Sequence, residues 1–290
     1  MLTDKDEYRH NPSNDLCWQE SVVLIWYDPA TELGGIHRIG VEPNQNKCNT
    51  QNYIARGKEL LYKYDNMYLP LSNADWDNYQ AGVITRKAIE PLKSFQFLID
   101  DPYYNCQAEL TFKGFHPAHD YSRGLDPAGQ VAANHFEGAG LVAGWVKKGG
   151  TQYNLKQGVG MRDHSWGVRY WNVINNWRWV CGIFGDQFAF NALTVVTDSG
   201  MMHGGFVFDG QETLAVKDCC INVILEDNGK EHKGTNVWFK DEKDRTVTVS
   251  SETLFVRPIY FYEVRANEGL SKFIMDQRTG HGIVEFGYRL

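Results

Sequence analysis

Short runs of β-branched and aromatic residues, bounded by Gly, Asn and Asp, recur along the whole chain. The i, i+3, i+4, i+7 spacing of an amphipathic helix is hard to find. In the first half this pattern predicts strands over 21–27, 35–41, 52–55, 82–89, 94–99 and 107–112. In the last of these, Ala108, Leu110 and Phe112 alternate with Gln107, Glu109 and Thr111, the period of a half-buried strand. The second half predicts strands over 177–184, 188–197, 202–208, 237–240, 246–251, 259–265, 272–276 and 282–288. Asp209-Gly210 and Asn228-Gly229 suit the positive φ angles of tight primed turns, so they read as hairpins. So many strands with no intervening helix exclude a parallel α/β sheet and predict an all-β protein of antiparallel barrels or sandwiches.

Two stretches break the pattern. Residues 115–130, FHPAHDYSRGLDPAGQ, are rich in Pro, Gly and Asp and read as a long loop. Residues 158–171, GVGMRDHSWGVRYW, neither alternate nor follow a helical period, and read as an irregular segment at a barrel mouth. The domain boundary is expected just before it, giving domains 1–155 and 156–290. No internal repeat is visible.

Composition narrows the class. Of 290 residues 42% are hydrophobic and 22% charged, which excludes disorder, and 13% are aromatic, which strengthens the β reading. The 29 basic and 36 acidic side chains leave a net charge of −7 without any basic block, so nucleic acid is not an expected partner. No apolar run reaches membrane-spanning length and residues 1–14 are too polar for a secretory signal, so a cytoplasmic location is expected. The cysteines, Cys17, Cys48, Cys106, Cys181, Cys219 and Cys220, follow no metal-finger or disulfide spacing and read as free thiols. GxGxxG, GxxxxGK[ST] and GxSxG motifs are lacking, which removes support for dinucleotide, P-loop and serine-nucleophile chemistry.

Candidate chemistry concentrates in the irregular segment. Arg162, Asp163, His164, Trp166, Arg169 and Trp171 fall within ten positions. A carboxylate beside an imidazole raises its pKa and fixes its tautomer, and indoles exclude water, so the group can make a general acid and base. The competing reading is a structural knot, with Asp163 bound to backbone N–H groups or to Arg162 or Arg169. Trp177 and Trp179 share a strand face and could wall a pocket or fill an ordinary core. His203 follows two methionines and faces the second barrel's interior or packs on Met. Glu285, between Val284 and Phe286, points to a lumen or pairs with Arg289 or Arg162. His116, His119 and Asp120, and His135 with Glu137, form a weak zinc pattern, and no metal is expected.

GMRDHSWGVRYW, followed by NNWRWVCGIFG, resembles the signature of the AttH and carotenoid 1,2-hydratase (hydroxyneurosporene synthase) superfamily of tandem lipocalin-like proteins. CWQESVVLIWYDP, GGIHRIGVEPN, HFEGAGLVAGWV and GHGIVEFGYRL extend the likeness over most of the chain. The resemblance implies two lipocalin-like antiparallel β-barrel domains in tandem and a cofactor-independent enzyme that hydrates, isomerises or cyclises hydrophobic compounds. His164 and Trp166 match the family's catalytic His and Trp, while Asn191 stands where its Tyr is expected. Together these readings name Arg162, Asp163, His164 and Glu285 as the catalytic set, and Trp166, Arg169, Trp171, Trp177, Trp179 and His203 as the substrate-binding set. The expected function is a lyase or isomerase acting on an isoprenoid, terpenoid or steroid-like molecule, without a cofactor. A carrier of a hydrophobic ligand and a cyclase of a polyketide-like substrate are the alternatives, and a homodimer is left open.

Overall fold

The computed structural model describes residues 1–121 and 134–290, so part of the loop expected over 115–130 lies outside the described residues. The chain forms two units, the first ending at Arg169 and the second resuming at Tyr170. Both are built almost wholly from antiparallel strands, as expected.

The strands of the first unit are β1 (Trp18–Asp28), β2 (Leu33–Glu42), β3 (Lys47–Arg56), β4 (Glu59–Pro70), β5 (Ala74–Asp75), β6 (Gln80–Ala81) and β7 (Ile84–Glu90), followed by β8 (Ser94–Asp101), β9 (Cys106–Gly114), β10 (His119–Asp120), β11 (Asn134–Lys148), β12 (Thr151–Asn154) and β13 (Gly158–Val168). They make one thirteen-stranded sheet in the order β4-β3-β2-β1-β13-β11-β9-β8-β7-β6-β5, with β10 and β12 on β11. Val22, Leu24 and Trp26 alternate inward from β1 and pack with Tyr62, Phe95, Phe97 and Phe112 in a single interior cluster. Tyr62 on β4 also donates to Asp101 on β8 at 3.0 Å, so the sheet is rolled around that cluster although its end strands are not paired in the ladder.

The second unit is a closed barrel of β14 (Ile174–Ile183), β15 (Ala189–Thr197), β16 (Gly200–Phe208), β17 (Thr213–Leu225), β18 (His232–Asp241), β19 (Thr246–Phe261), β20 (Val264–Met275) and β21 (Arg278–Arg289). Each strand pairs with its sequence neighbours and β21 returns to β14, the up-and-down closure of lipocalins. In its lumen Phe190 stacks on Phe239 and meets Phe273 edge to face. The two predicted hairpin turns are present, with Gly210 and Gly229 at φ 92° and 67°.

The expected boundary at 155 is corrected, because residues 158–168 form β13 of the first sheet. Nor is that segment irregular. Its pattern is masked because the strand is buried along almost its whole length, so neither face reads as a polar row. The long strand β17 was missed for a different reason: a bulge between Val216 and Asp218 shifts its parity midway.

The barrel lumen supports a direct test. Phe239 is fully buried, so Phe239→Ala is expected to lower stability by about 3–5 kcal/mol in urea unfolding through the cavity it leaves. A loss under about 1 kcal/mol contradicts this packing.

Candidate functional site

Successive side chains of β13 point to opposite faces of the sheet, and this sorts the motif into two sites. Arg162, His164 and Trp166 face the interior cluster, since Arg162 lies opposite Leu24 and His164 opposite Val22 across the β1 ladder. Asp163 and Ser165 face the other way. The expected pairing of Asp163 with His164 is therefore corrected.

The partner of His164 is Glu20 on β1. Both are fully buried, and His164 Nε2 lies 2.9 Å from Glu20 Oε1. His10 reaches the same carboxylate from the N-terminal segment, with Nδ1 2.8 Å from Oε1 and its backbone N–H donating to Oε2 at 3.1 Å. Burial raises the Glu20 pKa, but the bonds from His10 and His164 outweigh it and hold the carboxyl below its ordinary value. An ionised carboxylate only accepts hydrogen bonds, so His164 donates through Nε2 and its Nδ1 carries a lone pair. That Nδ1 is buried and has no hydrogen-bond partner among the described residues. Burial pushes the His164 pKa down to about 4 against the opposing pull of Glu20, so the imidazole is neutral near pH 7. Trp166, Phe136 and Tyr79 surround it at ring separations of 5.2, 5.2 and 6.2 Å, and His10 stacks on Trp166 at 3.8 Å.

Arg162 lies on the same face, beside Arg86 of β7, and both guanidinium groups are almost fully buried. They share one carboxylate, Glu7, from the 3-10 turn Asp4–Glu7. Arg162 donates through Nη1 and Nη2 to the two Glu7 oxygens at 3.0 and 3.1 Å, and Arg86 Nη2 also bonds Glu7. Leu92 adds a backbone N–H at 2.6 Å. Burial pushes the Arg86 pKa well down and Arg162 adds to it, while burial takes Arg162 itself to about 9. The paired charge depends on Glu7.

On the opposite face Asp163 bonds His135, which also pairs with Glu137, at 2.6 and 3.0 Å. Burial alone would lower the His135 pKa, but the two carboxylates raise it to about 10, so it is a fixed cation near neutrality. Asp163 is held below its ordinary value, with His135 and Arg169 overcoming the effect of burial. Arg169 donates to Ser165 Oγ at 3.1 Å. Asp163 is thus held in a largely buried ionic cluster, but among the described residues its hydrogen bond runs to His135 and not to the backbone N–H groups, Arg162 or Arg169 expected of a structural knot.

The remaining expected site residues belong to the second unit. Trp177 and Trp179 alternate with the lumen residue Val180, so they lie on the barrel's outer face, where Trp177 bonds Glu285 and rests on Gly287. Glu285 shares that face, opposite Trp179, and the expected lumen position is corrected. Trp171 packs on Trp177 and Phe261. His203 does face the lumen side, opposite Thr194, with Nδ1 3.3 Å from Thr194 Oγ1 and 3.6 Å from Cys219 Sγ.

The residues sequence reasoning missed are Glu7, His10, Glu20, Tyr79, Arg86 and Phe136. Glu20 and Arg86 carried a signal: each shares the parity of inward apolar residues, Val22 and Leu24 for the first and Ile84 for the second. Glu7 and His10 lie outside any strand and carried none.

The sets His10, Glu20, His164 and His135, Glu137, Asp163 each bring ligand-type atoms within 4.8 Å of one another. Either could hold a divalent ion only by giving up the N–H protons that now bridge them. His116 instead serves the backbone, accepting from the Ala139 N–H at 2.9 Å and donating to Pro117 O at 2.8 Å.

A family model described as "Domain of unknown function (DUF7064)" matches residues 3–288. No curated protein matches the chain. Among solved structures, a Nitrosomonas europaea protein assigned to AttH is 14% identical with a TM-score of 0.66, covering 99% of this chain and 96% of its own. CghA in complex with Sch210972 is 9% identical at a TM-score of 0.69, with 99% and 95% covered. Kievitone hydratase from Nectria haematococca is 12% identical at 0.65, with 99% and 93% covered. The likeness establishes a shared fold over the full length, as the motif resemblance implied.

The charge states predict a two-sided pH dependence of stability. His135, raised to about 10, stabilises fully below its unfolded pKa of 6.5, and that contribution is lost as pH rises through 10. His116, His119, His164 and His232, each lowered to about 4 by burial, stabilise above 6.5 and lose this as pH falls through 4. Urea midpoints measured from pH 4 to 10 are expected to peak near neutrality. His135→Gln should flatten the alkaline limb, and an unchanged limb contradicts the assignment.

Proposed function

The chain belongs to the DUF7064 family, and we propose that it is a cofactor-independent lyase or isomerase that uses His164 for acid–base chemistry on a hydrophobic small molecule. The observation that carries this reading is the neutral His164 imidazole, fixed in one tautomer by Glu20, with an unpartnered Nδ1 among aromatic rings. Such an imidazole takes a proton from an activated C–H group or from water. The imidazolium formed is paired with Glu20. A conjugate acid of low pKa returns its proton readily, here to another carbon or to a departing hydroxyl, which are the steps of double-bond isomerisation and of hydration or its reverse. Trp166 and Phe136 keep water from the exchange and offer π faces to developing positive charge. Kievitone hydratase, a structural neighbour, bears the name of a hydratase. An isoprenoid, terpenoid or steroid-like substrate suits the aromatic surround, and Asp163 and Arg169 position β13 from its other face.

Incubation with a panel of enones and allylic alcohols in D2O, read by mass spectrometry, tests the proposal. Deuterium is expected to enter the substrate carbon skeleton, and His164→Gln should slow this at least ~100-fold while ligand binding persists. Glu20→Gln should slow it as well. The wild-type rate should fall as pH drops through about 4, where His164 becomes protonated. Binding without exchange would indicate a carrier, and exchange unchanged in His164→Gln removes His164 from the chemistry.

A further inference from the structure

Among residues 1–10 Glu7 alone is buried, and its neighbours Asp4, Lys5, Tyr8 and Arg9 are exposed. A segment that merely plugs an apolar interior does so with apolar side chains. This one inserts a carboxylate, and the receiving side is built for that group. Donors from β7, from β13 and from the turn between β7 and β8 converge on its two oxygens, with the Arg162 fork meeting them in the paired geometry of a planar carboxylate. Leu92, which supplies the backbone donor, holds a positive φ of 62°, a conformation that a leucine adopts only under constraint. Arg86 Nη1 and Arg162 Nε are buried and keep further N–H groups without a partner among the described residues, so Glu7 does not exhaust the cradle. Around it Phe95, Phe136 and Tyr79 present ring faces to the guanidinium groups at 4.5–5.3 Å.

The same N-terminal segment also covers the proposed catalytic group. His10, three positions after Glu7, bonds Glu20 and stacks on Trp166. Withdrawal of residues 4–10 would take the Glu7 counterion from Arg86 and Arg162 and the His10 contact from Glu20 and Trp166 together.

We propose that Arg86 and Arg162 form a carboxylate-binding subsite of the first unit, and that Glu7 is its built-in occupant, displaced when a hydrophobic carboxylic acid binds. This names the substrate class and the gate of the site assigned above and rests on that reading. A free carboxylate replaces Glu7 charge for charge, so the arginines never lack a counterion, and its apolar body meets the aromatic rings.

Binding of dodecanoate and of dodecanol to the wild-type chain, followed by tryptophan fluorescence and by hydrogen exchange of the amides in residues 4–10, tests the proposal. Dodecanoate is expected to bind at least tenfold more tightly than dodecanol and to speed exchange in 4–10, whereas dodecanol leaves it unchanged. Glu7→Gln, which weakens the internal competitor, should bind dodecanoate at least tenfold more tightly than wild type. Arg86→Met should erase the preference for the acid. Equal binding of acid and alcohol, failure of dodecanoate to bind, or unaltered exchange in 4–10 overturns the proposal, and the wild-type measurements decide it even where a variant does not fold. No proton transfer is involved, so the outcome is independent of the His164 test: His164→Gln should retain dodecanoate binding whether or not His164 is catalytic.

Discussion

Ions taken out of water must meet opposite charge or lose theirs, and this requirement organises the first unit. Its interior holds Glu7, Glu20, Arg86, Arg162 and His164, all at or near zero exposure. Removing one partner of such a group strands the other at a penalty of several kcal/mol. The arginines are therefore tied to Glu7, and the neutral state of His164 follows from the same desolvation that makes an imidazolium costly there. Where two carboxylates flank one imidazole, as at His135, the balance reverses and the ring holds its proton. Two histidines one strand apart are thus driven to opposite protonation states by what surrounds them.

Strand parity decides which groups can cooperate. The chemically dense motif reads in sequence as one cluster, yet as a strand it delivers Arg162, His164 and Trp166 to one face and Asp163 to the other. Its family likeness, the all-β class, the hairpins at Gly210 and Gly229 and most strands of the second half were legible because alternation and turn residues are local signals. The partners of His164 were less so. Glu20 and Arg86 betrayed themselves only as charges at inward positions, and Glu7 and His10 reach the site through loop geometry that no periodicity encodes. The domain boundary was misplaced for the same reason: β13 is claimed by β1, well over a hundred residues earlier, and long-range pairing leaves no local trace.

The second unit divides its aromatic residues differently. Phenylalanines fill the lumen, while Trp177 and Trp179 with Glu285 lie outside it. The indoles are buried on that outer face, where the one bonded to Glu285 combines an apolar body with a polar partner.

Strand order in the first sheet carries a consequence for biosynthesis. The segments β1–β4 and β5–β11 each pair locally, and β13 is the seam between them, so the sheet stays in two pieces until residue 168 has left the ribosome. Until then β1 and β11 present open, largely apolar edges to whatever is nearby. The second barrel likewise stays open until β21 reaches β14, so each unit closes only when its last strand has emerged.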